Sequence, residues 1–441
     1  MNEWIESQFK LKERQTDVRT EVMAGITTFM TMAYIIFVNP SILSETGMPF
    51  GALMVSTCLA AAFATILMAF LANYPIALAS GMGLNAFFAF SVVLGMNVPW
   101  QVALAAVFIE GIIFIILSLT KLREYVINGI PMSLKYGIAA GIGLFIALIG
   151  FQNGGITIAN PATLIGQASF KNNLPAILTI AGLVIIGALE AYRVRGAILW
   201  GILIITAISI PLGVTRMPES IVSMPPSIAP IFMQMDFSWI SFDFSNPNIA
   251  NFWIVMFTFF FVDFFDTVGT LVGVTGRSGL LDKKGNLPKA REALLSDAIG
   301  TVGGAMLGVS TVTSYVESAS GIGVGGRTGL TSLVTGLLFL VAIFFNPIVS
   351  IVPSCATAPA LIFVGIYMMM SVTKISFDDW TELLPSVMAI FVMPFAYSIA
   401  AGIEFGIVTY ATVKLLAGKA RDVSAIIWIL SVIFILKEIF I

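Results

Sequence analysis

The sequence predicts an all-α membrane protein of about fourteen transmembrane segments, arranged as two inverted seven-segment repeats. Three observations predict it. Of 441 residues, 58% are hydrophobic and 10% are charged, with a mean hydropathy of +0.99, whereas soluble domains carry about 25% charged residues. Apolar windows close to the roughly 20 residues that a span needs recur along the whole chain. The Lys and Arg of the connectors alternate from side to side, as expected when short basic loops stay cytoplasmic.

Residues 1–21 hold Lys10, Lys12, Arg14 and Arg19 among acids, with no apolar run and no cleavage motif. They read as a cytoplasmic N-terminus without a removable signal peptide, so the first span does the targeting. The first repeat, 22–212, contains windows at Val22–Val38, Gly51–Leu71, Ile76–Gly95, Val98–Leu119, Leu134–Gly150, Pro175–Glu190 and Gly196–Leu212. An extracytoplasmic loop follows at 213–249. The second repeat, 250–418, contains Ala250–Val274, Glu292–Leu307, Val309–Gly325, Leu330–Phe345, Cys355–Val372, Leu383–Ala400 and Ile403–Leu416. The remaining 419–441 is apolar from Val423 onward and reads either as a fifteenth span or as an interfacial helix.

With the N-terminus inside, the even connectors carry Lys121 and Arg123, then Arg193 and Arg195, then Arg277, Lys283, Lys284, Lys289 and Arg291, then Arg327, Lys374, and Lys414, Lys419 and Arg421. The odd ones carry only Lys171 and Arg216. The net charge of -2 shows no basic stripe, so no nucleic-acid partner is expected. Cys58 and Cys355 lie in or beside apolar segments, and the chain has no histidine, which excludes Cys/His zinc sites and histidine proton relays. Neither a metal nor a cofactor is called for.

Segments three and ten are poor continuous helices. The third reads YPIALASGMGLNAFFAF from Tyr74 to Phe90, the tenth GVSTVTSYVESASGIGVGG from Gly308 to Gly326. Each passes from small or β-branched residues through glycines and carries one strong polar side chain, Asn85 or Glu317. Matched breaks in two halves are the best sequence pointer to a binding site in a transporter. Unwound backbone at that depth must line a cavity or lie buried in protein.

In segment eight Asp263 and Asp266 stand three residues apart, on one helix face. An ionised Asp at a helix centre costs about 2.5–3.5 kcal/mol on insertion scales, which favours a site or coupling role for at least one. The structural alternative is two carboxyls bonded to backbone or hydroxyls at a helix junction. Glu317 offers two acceptor oxygens to the N–H groups of a planar heterocycle; its alternative is a capping-box acid. Asn85 faces the same cavity or stitches its own broken helix. Phe87, Phe88, Phe264, Phe265 and Tyr315 are candidates to stack on an aromatic ligand. Thr27, Thr28, Thr31, Thr267 and Thr270 read as hydroxyls bonded within their own helices. Glu190, Asp297 and Glu404 fall near predicted ends, leaving Glu110 as the other deep acid, without an assigned role.

Four stretches in order, GITTFMTMAYI (Gly25–Ile35), ASGMGLNAFFAF (Ala79–Phe90), VDFFDTVGT (Val262–Thr270) and TSYVESASGI (Thr313–Ile322), carry a resemblance to a known family. The chain resembles, over nearly its whole length, the AzgA-like branch of the nucleobase/ascorbate transporter superfamily, the hypoxanthine, guanine and adenine permeases. The resemblance implies a core domain and a gate domain, short antiparallel strands in segments three and ten, and proton-coupled purine uptake across the cell membrane. It implies that Glu317 binds the base, that Asp263 is the eighth-segment acid facing it, and that Asn85 is the third-segment contact. Relatives often carry Glu or His in segment eight where this chain has Asp263, so the proton site stays open between Asp263 and Asp266. A homodimer through the gate domain suits the fold. The competing readings are a uracil or xanthine carrier and an anion exchanger on the same fold; no channel ring or enzyme nucleophile is visible.

Overall fold

The computed structural model of the chain describes residues 2–120, 131–218, 220–241, 246–275 and 287–440. Lys121, Arg123, Arg277, Lys283 and Lys284, which support the connector reading, lie outside them. Among the described residues, fourteen segments follow one another. The first is Val18–Met32 continued by Ile35–Leu43, the second Phe50–Leu71. The third is strand β1, Leu78–Ser80, then Met82–Ala86 and a π-helical Phe87–Gly95. Trp100–Leu119, Met132–Asn153, Leu174–Ala191 and Ala197–Ser209 complete the first half, with a short hairpin of β2 (Thr157–Asn160) and β3 (Leu164–Gln167) after segment five.

The second half runs Pro247–Thr275, Ala290–Leu307, then β4 (Val312–Ser314) with Ser318–Val324, then Gly329–Ala342, Ser354–Met369, Trp380–Phe395 and Ile399–Leu416. Eight of the described helices are long and apolar enough to cross a bilayer by themselves.

Packing sorts the segments into two bodies. Segments one to four interleave with eight to eleven as a core, while five to seven pack with twelve to fourteen as a gate. The pairings survive exchange of each segment for its counterpart seven places away. Segment eleven packs on two as four packs on nine, eleven on one as four on eight, and thirteen on five as six on twelve. Segments five and twelve cross at glycines: a Cβ on Gly143 would lie 2.6 Å from the Gly365 carbonyl oxygen. Small residues let membrane helices approach this closely.

The centre of the core is the crossing of β1 and β4, antiparallel with Leu78 opposite Ser314, Ala79 opposite Thr313 and Ser80 opposite Val312. Backbone bonds from Gly81 N–H to Thr311 O and from Tyr315 N–H to Ala77 O, both 2.9 Å, extend the ladder. A two-stranded ribbon leaves outer N–H and C=O groups unpaired, which is costly away from water. Each half supplies a threonine for them. Thr65 on segment two accepts from Leu78 N–H and donates to its carbonyl, both at 2.9 Å. Thr301 on segment nine does the same for Val312, at 3.2 and 3.0 Å. Segments two and nine are seven places apart, so the repeat extends to single hydrogen bonds.

Two boundaries differ most from the sequence reading, the end of segment thirteen and the start of segment fourteen. The window Leu383–Ala400 stops at Phe395: Tyr397 has a left-handed φ of 52°, and Ser398 caps the next helix by accepting from Ala401 N–H. An uninterrupted apolar run concealed that cap. With segment fourteen starting at Ile399, Glu404 is a buried residue rather than an end residue, and Asp297 is likewise fully buried. The tail forms helix Ala425–Phe440 packed on segment fourteen, with Ile427, Leu430 and Phe434 turned inward and Ile429, Val432 and Leu436 exposed.

Thr301→Val and Thr65→Val are each expected to lower stability by about 1–3 kcal/mol, the cost of stranding buried backbone groups. Thermal unfolding of the purified protein in detergent checks this, with Thr412→Val, whose hydroxyl bonds only its own helix at an exposed position, as the control that stays near wild type.

Candidate functional site

Glu317 follows β4 at the start of the short helix Ser318–Val324 and makes no side-chain bond to that helix. The capping reading therefore does not describe it. Its Oε1 accepts instead from the Tyr34 hydroxyl at 2.7 Å. Tyr34 sits where segment one breaks between Met32 and Ile35, which turns the phenol toward the crossing. The Thr31 hydroxyl bonds Thr27 O and Thr28 O within its helix and reaches Glu317 O at 3.5 Å.

Glu317 is half-buried and so is Asp266 on segment eight, and the two lie within electrostatic range of each other. Arg327, the nearest cation in sequence, donates to the carbonyls of Ile322 and Gly326 at 2.8 and 2.7 Å. The ion pairs among the described residues, Lys10–Glu13, Lys414–Glu382 and Lys419–Asp379, lie elsewhere. Among the described residues, the crossing presents two carboxyls and a phenol with no ion pair to a Lys or Arg. Such a site receives N–H donors.

The other candidates fall into different places. Asp263 is fully buried and interacts with Glu110 of segment four and Asp297 of segment nine. One face of a helix spans enough arc for residues three apart to meet different neighbours. Asp297 accepts from Thr267 at 3.0 Å and from Ser314 at 3.3 Å, so Thr267 bonds across segments rather than within its own helix. Asn85 is fully buried, and its Oδ1 accepts from the hydroxyls of Ser80 and, across the repeat, Ser310. This is the stitching role. The Tyr315 hydroxyl donates to Ser80 O at 2.5 Å, fixing its ring in the ribbon. Phe87 packs edge-on against Phe259 at 4.9 Å between centroids, in the core rather than free to stack on a ligand. The side chains of Phe264 and Phe265 lie outside those described.

With this geometry in view, comparison with known proteins is decisive. Residues 19–405 match the family described as Permease family. The chain belongs to that family, in its nucleobase/ascorbate transporter branch. Adenine permease AdeP of Escherichia coli is 44% identical, with 99% of this chain and 96% of that protein covered. Guanine/hypoxanthine permease PbuG of Bacillus subtilis is 46% identical, with 98% and 99% covered. Among solved structures, the transmembrane domain of a cyanobacterial bicarbonate transporter, BicA, superposes with a TM-score of 0.63 at 16% identity, covering 87% of this chain and 97% of that one. At that identity the likeness shows the fold alone. The chain is thus a membrane transporter of the permease family.

Tyr34 is the residue that sequence reading passed over. It lies inside the noted GITTFMTMAYI stretch, but its partner is 283 positions away. Tyr34→Phe removes one hydrogen bond to a carboxylate, a contact worth about 1.5–3 kcal/mol. If that bond orients Glu317, the substrate KM rises by about tenfold or more while the melting temperature stays close to wild type, as initial-rate uptake and calorimetry would read.

Proposed function

We propose that the permease is a secondary active transporter that imports purine nucleobases, hypoxanthine, guanine and adenine, in symport with protons. The observation that carries this reading is the pair Glu317 and Asp266 at the strand crossing, without an ion pair among the described residues, in a chain that aligns end to end with adenine and guanine/hypoxanthine permeases. Glu317 accepts the ring and exocyclic N–H groups of the base, Asp266 closes the other side, and Tyr34 holds the Glu317 carboxyl in plane. Asn85 and Tyr315 act indirectly, by fixing the ribbon from which Glu317 projects. The basic connectors favour a cytoplasmic N-terminus in the cell membrane, and a homodimer through the gate is the assembly we expect.

An anion exchanger shares the fold, but two half-buried carboxyls at the crossing would repel its substrate, and no described Lys or Arg reaches them. A uracil or xanthine carrier would use similar acids, and competition separates it.

The test is uptake of radiolabelled hypoxanthine into cells lacking their own purine carriers, with unlabelled adenine, guanine, xanthine, uracil and bicarbonate as competitors. Saturable uptake blocked by purines, falling with protonophore, and reduced about tenfold or more by Glu317→Gln is expected. Competition by uracil alone, or uptake indifferent to Glu317→Gln, would contradict the assignment.

A further inference from the structure

Two buried carboxyls have no place in base binding as described above. Glu110 on segment four and Asp263 on segment eight are both fully buried. All four of their oxygens lack a hydrogen-bond partner among the ordinary donors of the described residues. The helices that carry them pack against each other, and the two carboxyls are close enough to interact. Two carboxylates only accept, so a bond between them requires that one carry a proton. Such a bond, O–H to O⁻, is also among the stronger ones available inside a protein.

Asp297 beside them is different, because Thr267 and Ser314 already donate to it. The groups facing the pair from the helices packed around it are Asp297 on segment nine and Asp266 one turn along segment eight, both acidic. Glu110 therefore enters an acidic cluster from a separate helix, unpartnered and aimed at Asp263.

We infer that Glu110 and Asp263 form a proton-sharing carboxyl pair that carries the coupled proton, at a site separate from the base-binding Glu317. The inference rests on the proposed purine symport and adds the location of the proton. In the half-loaded state the pair holds one proton and one negative charge; loading adds a proton from the outside, and release returns it to the cytoplasm. The mechanical link is short. Segment eight carries both Asp263 and Asp266, and Asp297 bonds segment eight through Thr267 and β4 through Ser314, three residues before Glu317. A change in the charge of the pair thus bears directly on the two elements that hold the base site.

The test uses purified full-length protein in liposomes and two readouts: hypoxanthine counterflow without an ion gradient, and hypoxanthine accumulation driven by an inside-alkaline pH gradient. Glu110→Gln is the key variant, since the amide mimics the protonated acid and can donate to Asp263. It is expected to keep counterflow within about threefold of wild type, lose gradient-driven accumulation by about tenfold or more, and flatten its pH profile. Glu317→Gln should lose both activities. Accumulation and pH profile unchanged in Glu110→Gln would overturn the inference, as would loss of counterflow in a variant whose melting temperature matches wild type. Should Glu110→Gln fail to fold, purine-induced proton uptake by wild-type protein in weakly buffered detergent, compared with Glu110→Asp, decides instead; an equal proton count in both supports the pair, and no proton uptake by wild type overturns it. Wild-type accumulation driven by a sodium gradient alone overturns this inference yet leaves purine transport standing. Wild-type protein with no purine counterflow defeats the transport reading itself.

Discussion

Everything at the centre of this molecule depends on satisfying the backbone of two short strands where no water is at hand. An isolated β1–β4 ribbon would leave outward N–H and C=O groups stranded, each costing several kcal/mol in hydrocarbon. Thr65 and Thr301 meet two residues of that demand. Tyr315 and Asn85 meet Ser80 from the other side, and Ser318 accepts from Ala77 N–H at 3.0 Å. With the ribbon secured, the chain can leave it twice at fixed angles, once into Met82–Ala86 and once through Glu317 into Ser318–Val324. The site is therefore placed by rigid, doubly bonded backbone rather than by a loop.

The acids of the core divide by what reaches them. Glu317 and Asp266 are half-buried, and Glu317 is held by a phenol. Asp297 is buried and satisfied by hydroxyls. Glu110 and Asp263 are buried and meet each other. Segment eight is common to all three sets, contributing Asp263, Asp266 and Thr267 within five positions. A helix so placed links the proposed base site to the buried acids, as coupling of two binding events requires.

Much of the fold was legible because bilayer thickness and connector charge are strong, local signals. The predicted windows fall on the helices and strands found; Leu383–Ala400 overran because Ser398 caps the next helix within a largely apolar stretch. The breaks in segments three and ten were legible from glycines and β-branched residues, and Glu317 stood out as an acid without a cation nearby. What sequence spacing could not resolve is which neighbour a buried side chain meets. Asp263 and Asp266 share a helix face and both lie near Asp297, yet only Asp263 meets Glu110 and only Asp266 is seen to interact with Glu317. Tyr34 reaches Glu317, and Glu110 reaches Asp263, across long stretches of sequence. The aromatic candidates were numerous, and spacing did not show that Phe87 packs on Phe259 or that Tyr315 bonds Ser80 O.

The most direct measurement is an experimental structure of the protein in nanodiscs with hypoxanthine bound. The predicted result is a planar base beside the strand crossing, its N–H edge about 3 Å from the Glu317 carboxyl and Asp266 on the far side. A base bound away from Glu317, or an anion occupying the crossing in its place, would contradict it.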